Sequence, residues 1–118
     1  MGDDPACPRP WRVAIVEDDP IVRDYFIDIV CSATDFDLAG FAPTLKRASE
    51  LVALRPDLFL IDVGLPDGSG IDFVATAKTH EATRALIVTS FGDRETVVAA
   101  IKAGAARIVR FGAGSPYL

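Results

Sequence analysis

The sequence predicts an α/β fold built on a doubly wound, five-stranded parallel sheet, and three observations support that prediction. Short apolar segments of strand length alternate with segments of helical period along the whole chain. The strand segments are apolar throughout rather than at every second residue, which is typical of strands buried on both faces of a parallel sheet. The 118 residues, 50% of them hydrophobic, are enough for one domain with its own core.

The first half of the chain contains two predicted strands and two predicted helices. Asp19 is a suitable N-cap for the first helix, because Pro20 can occupy its first turn. Pro56 ends the second helix. The apolar stripe of the first helix comprises Ile21, Val22, Tyr25, Phe26, Ile29 and Val30. The four elements are a strand at Arg12–Val16, a helix at 21–32, a strand at Phe36–Ala42 and a helix from Pro43 to about Leu54.

The second half repeats this alternation and ends on a strand. The residues 64–70 between the third strand and third helix are dense in glycine and proline and predict a loop. Crossovers between parallel strands are right-handed, so the expected strand order is the flavodoxin-like 2-1-3-4-5. The predicted elements are a strand at Leu58–Ile61, a helix at 71–78, a strand at Ala85–Val88, a helix at about 94–103 and a strand at Ala106–Phe111.

Composition restricts the class of protein. With 17 acidic and 12 basic residues, the chain has no excess of positive charge for direct nucleic acid binding. No apolar run approaches the ~18 residues of a membrane span, and the proline-rich N-terminus does not resemble a signal peptide. Cys7 and Cys31 are interpreted as free thiols in a reducing cytoplasm, with Cys31 buried near the apolar stripe. We expect a flexible arm at residues 1–11, a folded domain at 12–111 and an irregular tail at 112–118.

Polar side chains follow three strands that the expected topology places side by side. Glu17 and Asp18 follow the first strand and Asp62 follows the third, while Thr89 and Ser90 follow the fourth. The carboxyl ends of parallel strands meet at one edge of the sheet, so we expect these side chains to converge. Clustered carboxylates repel unless a cation is present, and Mg²⁺ is the hard cation that prefers such oxygen ligands. Asp18 and Asp62 are therefore functional candidates, whereas Asp19 is interpreted as a helix cap.

Four segments carry a resemblance to the receiver domain of bacterial two-component response regulators. The stretch D-V-G-L-P-D-G-S-G after the third strand is the most specific of them, and the match extends from about Arg12 to Val109. The four segments are Val13–Pro20 (V-A-I-V-E-D-D-P), Leu60–Gly70 (L-I-D-V-G-L-P-D-G-S-G), Ile87–Ser90 (I-V-T-S) and Lys102–Ala105 (K-A-G-A).

The resemblance implies a phosphoaspartate switch that receives a phosphoryl group from a histidine kinase or a phosphotransfer domain, with Mg²⁺ as cofactor. It implies no catalytic activity of its own beyond this transfer. The roles that it implies are Asp62 as phosphoacceptor, Asp18 as direct metal ligand, Glu17 as a ligand acting through water, Gly64 as the donor of a backbone carbonyl to the metal, Thr89 as the hydroxyl that signals phosphorylation, and Ser90 as the residue whose amide contacts a phosphoryl oxygen.

The sequence departs from the family pattern in three places. Receiver domains carry a lysine at the end of the fifth strand, whereas here Phe111 occupies that position and Arg110 precedes it. Either Arg110 reaches the site by a shift of register, or the cationic contact is missing. The aromatic switch residue of the fifth strand is replaced by Ile108. The family's fifth helix is missing, since the tail has no helical pattern.

These departures leave alternatives open. A degenerate receiver, which binds a partner near the fourth helix and fifth strand without phosphorylation, is favoured by the missing lysine and aromatic residue. A phosphatase-type enzyme would need a second aspartate two residues after the nucleophile, where Gly64 stands, so we do not predict an enzyme. Without a fifth helix one face of the sheet would meet water, and we expect a homodimer or an exchange of segments with a second copy.

Overall fold

A computed structural model describes residues 9–89, 98, 102–104 and 107–110 of the chain. Most of the predicted fourth helix, at about 94–103, lies outside these residues. The described elements are β1 (Trp11–Val16), α1 (Pro20–Ser32), β2 (Phe36–Ala42), α2 (Leu45–Leu51) with a following 3-10 turn (Val52–Leu54), β3 (Leu58–Asp62), a short hairpin of β4 (Gly64–Leu65) and β5 (Gly68–Ser69), α3 (Gly70–Ala77), β6 (Arg84–Thr89) and β7 (Arg107–Arg110).

The main sheet has five strands in the order β2-β1-β3-β6-β7, and every neighbouring pair is parallel. Since β6 and β7 are the fourth and fifth predicted strands, the flavodoxin-like order 2-1-3-4-5 is confirmed. The register places Val16 opposite Ile61 and Asp62 opposite Val88. Three strand ends, those of β1, β3 and β6, therefore lie level with one another. The expectation that a fifth helix is missing concerns residues after 111, outside those that the structure describes.

The helices α2 and α3 cover one face of the sheet and complete its larger core. Phe59 and Ile61 of β3 alternate with residues that point to the other face, and both are fully buried against these helices. Phe73 of α3 meets Phe59 edge-on, with ring centroids 5.4 Å apart. Ala85 and Ile87 of β6 are equally buried in this layer. The alternation explains why the strands are apolar throughout, because each face of the sheet has its own helical layer.

On the opposite face, α1 packs against the centre of the sheet. Its buried residues are Phe26 and Val30, which contact Val13 and Ile15 of β1. The predicted apolar stripe was too wide: Ile21 is 80% exposed, and Tyr25 and Ile29 are close to half exposed. The predicted burial of Cys31 is wrong for the same reason, since that thiol lies on the exposed side of α1. Leu58, Leu60 and Leu86 pack against this cluster on the same face and are half-buried.

Side-chain caps begin each of the three described helices. Asp19 accepts a hydrogen bond from the Ile21 N–H at 2.9 Å, as the sequence predicts, and Thr44 accepts one from the Arg47 N–H at 3.1 Å. Ser69 caps α3 in the same way. These bonds satisfy backbone donors that have no partner inside the helix. In the described part of the chain, no helix has the length and apolar character that crossing a bilayer requires.

Asp57 fastens the amino-terminal edge of the sheet. Its two carboxylate oxygens accept from the Arg9 guanidinium at 2.6 and 2.7 Å, and one of them also accepts from the Arg12 backbone N–H at 2.8 Å. The Arg9 guanidinium beside it holds the pKa of the Asp57 carboxyl below its usual value. The backbone of Asp57 also bonds to Arg12 and Arg84. Asp57, the residue directly before β3, therefore connects β1, β3 and β6 at the edge of the sheet opposite to the acidic side chains.

We expect the Asp57→Asn variant to lose about 1–2 kcal/mol of unfolding free energy at pH 7, because the charge-assisted bonds to Arg9 weaken. Because the folded-state pKa is lowered, this stabilisation is present above the unfolded-state pKa of about 3.9 and is lost as the pH falls through the folded-state value. Urea unfolding at pH 7 and at steps between pH 5 and 2 measures both effects. Asp37→Asn, at an exposed position of β2, is the control. A variant with the stability and acid dependence of the wild type would contradict this role.

Candidate functional site

Three carboxyl groups converge at the carboxyl edge of the sheet. Glu17 and Asp18 follow β1, and Asp62 is the last residue of β3. One oxygen from each of the three side chains lies within 4.8 Å of the others. The parallel register produces this cluster, because Val16 and Ile61 are opposite each other and the next residue of each strand carries a carboxyl group. The structure thus brings together all three acidic residues that the sequence predicts for the site.

Backbone hydrogen bonds hold Glu17 at the end of β1. Its N–H donates to the Ala42 carbonyl at 3.0 Å, which continues the pairing with β2. Its own carbonyl accepts from the Arg23 guanidinium at 3.2 Å, and that guanidinium also lies over the Phe41 ring, 5.4 Å from the ring centroid. The Glu17 side chain accepts from the Asp19 N–H at 3.2 Å. Glu17 is therefore constrained from both sides of the β1–α1 turn.

Burial makes Glu17 a weaker acid than an exposed glutamate. Only 6% of the residue is exposed, and its carboxyl shares a crevice with the apolar side chains of Phe26, Leu60 and Val88. Desolvation raises the pKa of Glu17 to about 7, with the nearby charge of Asp62 acting in the same direction. The bond from the Asp19 N–H opposes this rise. Near neutral pH, Glu17 can hold a proton that it shares with its carboxylate neighbours.

Asp62 has a mixed environment. Burial and the charge of Asp18 raise its pKa, whereas hydrogen bonds from Glu17 and from the backbone N–H groups of Val63 and Gly64 favour the charged form. Burial is the largest of these effects, so the pKa of Asp62 is raised overall. Glu17 and Asp62 are therefore both weaker acids than exposed carboxyl groups, because they share one buried site.

The segment after Asp62 folds back as a small hairpin rather than an open loop. Gly64 and Leu65 pair with Ser69 and Gly68 in an antiparallel arrangement that the sequence did not predict. The Gly70 N–H donates to the Val63 carbonyl at 2.9 Å and closes the base of the hairpin. A Cβ atom at Gly70 would overlap the Asp62 carbonyl oxygen and lie 2.6 Å from the Ile61 side chain. Only glycine permits this close return of the chain beneath the acidic cluster.

The remaining predicted site residues are only partly described. Gly64 is exposed in the hairpin, two residues after Asp62. Thr89 ends β6, one residue beyond Val88, which is opposite Asp62. Its backbone is opposite Arg110 of β7, so Arg110 lies at the same edge of the sheet. Ile108 is opposite Ile87. Ser90 and Phe111 lie outside the residues that the structure describes.

Sequence reasoning missed one residue of this region, Asp67 at the tip of the hairpin. Its carboxylate accepts from the backbone N–H groups of Leu45 and Lys46, at 2.8 and 3.0 Å, and so caps α2 from 22 residues away. These bonds lower the pKa of the exposed Asp67 carboxyl. The signal for such a contact is weak, because aspartate in a P-D-G turn is common for purely local reasons.

The donor set is suited to a hard divalent cation. Three carboxyl groups offer oxygen ligands, and Mg²⁺ is usually bound through one or two carboxylates with several waters retained. The same carboxylates can act as nucleophiles if their charge is compensated. A buried cluster without compensation would repel itself, so the composition of the site fits a cation better than a purely structural role.

Comparisons with known proteins agree on one family. The family model of the response regulator receiver domain matches residues 13–110 of this chain. The chain is 38% identical over 96 residues to the response regulator protein PilR of Pseudomonas aeruginosa, covering 80% of this chain and 21% of that protein. It is 36% identical over 102 residues to a protein-glutamate methylesterase/protein-glutamine glutaminase of Bdellovibrio bacteriovorus, covering 83% of this chain and 28% of that protein. The chain spans less than a third of either relative.

A solved structure extends the likeness to the fold. The response regulator domain of CheB from Thermotoga maritima superimposes with a TM-score of 0.81 and 28% sequence identity. The aligned region covers 93% of this chain and 84% of that one. The match to the methylesterase is therefore consistent with similarity to its regulatory domain.

Glu17→Gln is expected to stabilise the protein in Mg²⁺-free buffer at pH 8, by about 1–3 kcal/mol of unfolding free energy, because it removes a buried charge beside Asp62. The advantage is expected to shrink as Mg²⁺ is added, since the ion compensates the same charge in the wild type. Thermal or urea unfolding at several Mg²⁺ concentrations measures both effects. Glu81→Gln, at an exposed turn, is the matched control. A Glu17→Gln protein that is less stable than the wild type without Mg²⁺ would contradict the electrostatic interpretation.

Proposed function

The chain belongs to the response regulator receiver domain family, and on that premise we propose that it is a phosphorylation switch in which Asp62 accepts a phosphoryl group. The observation that carries the proposal is the convergence of Glu17, Asp18 and Asp62, with one oxygen from each within 4.8 Å of the others. A cluster of this kind at the carboxyl edge of a parallel sheet supports phosphoryl chemistry, because ligands of such sheets bind in the crevice beyond the strand ends.

The reaction is a displacement at phosphorus by the Asp62 carboxylate. One carboxylate oxygen forms a bond to phosphorus while the bond from phosphorus to the donor breaks, and the donor atom keeps that electron pair. With a phosphohistidine donor the leaving atom is an imidazole nitrogen, and with acetyl phosphate it is an acetate oxygen. The backbone N–H groups of Val63 and Gly64 lie near the carboxylate and favour its charged form. Compensation of the negative charge of the site by a cation would keep Asp62 ionised and able to attack.

The charge of the site requires a cation when the phosphoryl group enters. Mg²⁺ held by Asp18, Asp62, the Gly64 carbonyl and, through water, Glu17 would neutralise the carboxylates and the phosphoryl oxygens. Glu17 is the most buried of the carboxyl groups, so its role through water also places a polar group at the floor of the crevice. Gly64 is exposed and leaves its backbone free of side-chain obstruction.

Two further residues complete the proposed switch. The Thr89 hydroxyl contacts a phosphoryl oxygen and reports its presence, and the Ser90 amide contacts another. Thr89 supports this role by its place at the end of β6, one residue past the level of Asp62. Either Arg110, whose backbone lies opposite Thr89, makes the cationic contact in place of a lysine, or that contact is missing. We infer that the donor is a histidine kinase or phosphotransfer domain in the cytoplasm, and that the domain binds neither nucleic acid nor membrane directly.

A phosphorylation-independent interaction domain is the second candidate. It is favoured by Phe111 at the lysine position and Ile108 at the position of the aromatic switch. In this alternative the acidic cluster persists without accepting a phosphoryl group. The two functions differ in one measurable property, a covalent phosphate on Asp62.

We expect the wild-type chain to incorporate phosphate from acetyl phosphate in the presence of Mg²⁺, and Asp62→Asn to incorporate none. An acyl phosphate is labile to base and hydroxylamine, which identifies the linkage, and mass spectrometry of the intact protein gives the yield. Asp72→Asn, an exposed aspartate on α3, is the control for the loss of a carboxylate. Equal labelling of the wild type and Asp62→Asn removes the phosphoacceptor assignment, and no labelling of either favours the interaction domain.

The same assay tests the cationic and metal contacts. A missing charge-assisted contact costs roughly 1.5–3 kcal/mol in such a site, so Phe111→Lys or Arg110→Lys is expected to raise the yield at a fixed time by about tenfold.

Asp18→Ala is expected to weaken Mg²⁺ binding, as measured by calorimetry on the same preparations. An unchanged Mg²⁺ isotherm in Asp18→Ala would show that the metal ligand is misassigned.

We also propose that the chain self-associates as a homodimer or by segment exchange. Support comes from Leu58, Leu60 and Leu86, which are half-buried on the face that α1 partly covers. Sedimentation velocity between micromolar and millimolar concentrations should show a rising mass, and Leu60→Gln should reduce it because a polar group replaces the apolar contact. A compact monomer at every concentration would show that this face does not support assembly.

A further inference from the structure

Asp67 connects two parts of the molecule that are distant in sequence. It lies at the tip of the hairpin, between Leu65 of β4 and Gly68 of β5. Its carboxylate oxygens bond separately to the Leu45 and Lys46 amides, at 2.8 and 3.0 Å. These are the first two residues of α2, whose own cap, Thr44, satisfies a different donor on Arg47. Two backbone donors of α2 therefore depend on a side chain from the loop of the phosphoacceptor.

Close packing makes this connection specific. Gly68 adopts a φ of 148°, and a Cβ atom there would lie 2.8 Å from the Leu45 side chain. The hairpin tip thus packs closely against the Leu45 side chain at the start of α2, and a larger residue at position 68 would require that side chain to move. Exposed aspartates in turns usually bond to their own backbone, whereas Asp67 extends its bonds to another element.

The other end of the hairpin meets the acidic cluster. Its base is closed by the bond from the Gly70 N–H to the Val63 carbonyl, 2.9 Å long. Directly before this base, the backbone N–H groups of Val63 and Gly64 lie near the Asp62 carboxylate and lower its pKa. A six-residue hairpin between two such anchor points has little freedom to shift at one end alone. The hairpin therefore provides a continuous backbone connection between Asp62 and Asp67.

We propose that Asp67 is a positioning residue of the acidic cluster and that it couples the occupancy of this cluster to the N-terminus of α2. The inference rests on the proposed function of Asp62 and adds a residue that does not contact the reacting atoms. Asp67 holds the hairpin so that Gly64 and the two amides face the cluster. Coupling of this kind is reciprocal. If the hydrogen bonds between Asp67 and α2 strengthen Mg²⁺ binding at the cluster, then Mg²⁺ binding strengthens those hydrogen bonds by the same free energy.

The first measurement is Mg²⁺ binding by calorimetry, with Mg²⁺ alone as the probe. We expect the dissociation constant to rise about threefold in Asp67→Asn, which keeps one acceptor oxygen, and about tenfold in Asp67→Ala, which keeps none. Asp72→Asn, an exposed aspartate in the first turn of α3, is the control and should bind Mg²⁺ as the wild type does. Both Asp67 variants lose the carboxylate charge but differ in the number of acceptor oxygens that remain. The difference between them therefore reports on the hydrogen bonds and not on the charge.

The second measurement is amide hydrogen exchange at Leu45 and Lys46, which a merely structural role would not link to the metal. In the wild type, Mg²⁺ is expected to slow exchange at these two amides about threefold or more, while in Asp67→Ala it has no effect on them. Asp67→Asn keeps the proposal testable if Asp67→Ala does not fold. A wild type whose Leu45 and Lys46 exchange is indifferent to Mg²⁺ overturns the coupling, as does a Mg²⁺ isotherm shared by all variants.

The outcomes distinguish this inference from the proposed function. If the wild type binds Mg²⁺ and is labelled on Asp62 while the Asp67 variants behave identically, only the positioning role fails. If Mg²⁺ slows exchange at α2 but Asp62 takes no phosphate, the coupling stands and the phosphorylation proposal fails. A wild type that binds no Mg²⁺ overturns both.

Discussion

The burial of two neighbouring carboxyl groups at the end of the sheet is the constraint on which the rest of this structure depends. Glu17 and Asp62 lie beside apolar side chains in one crevice, where each charge is costly and the two charges repel. The protein tolerates this arrangement because the parallel register places both residues at the end of a hydrogen-bonded strand. The fully buried core of β1 and β3 fixes the position of these two strand ends.

The rest of the molecule supports this edge in different ways. At the opposite edge, Asp57 joins the segment before β1 to β3 and β6 by charge-assisted and backbone bonds. Beneath the cluster, Gly70 allows the chain to return without a clash, and the hairpin delivers two amides to Asp62. Beside it, Asp67 extends the same loop to α2. The site is thus connected to the helical layer that covers the larger core.

The unequal covering of the two faces has a separate consequence. Phe59, Ile61, Ala85 and Ile87 are fully buried beneath α2 and α3, whereas three leucines that alternate with them, Leu58, Leu60 and Leu86, are only half-buried. Along α1, Ile21, Tyr25 and Ile29 form an exposed line one helical turn apart. Exposed apolar surface of this kind is typical of a region that contacts other molecules.

The sequence by itself determined the strand order, the helix cap at Asp19 and the three acidic residues of the site. The cap and the strand-end residues are local features of the chain, and the strand order follows from the alternation of strands and helices joined by right-handed crossovers. Only the tertiary structure decided which side of α1 is buried. The predicted stripe of six apolar residues is more than the sheet face can cover, and so Ile21, like the neighbouring Cys31, is exposed. The hairpin and its contact with α2 also escaped prediction. Asp67 reaches its partners 21 and 22 residues away in sequence, and no local pattern specifies a bond whose two halves meet only after the sheet has formed.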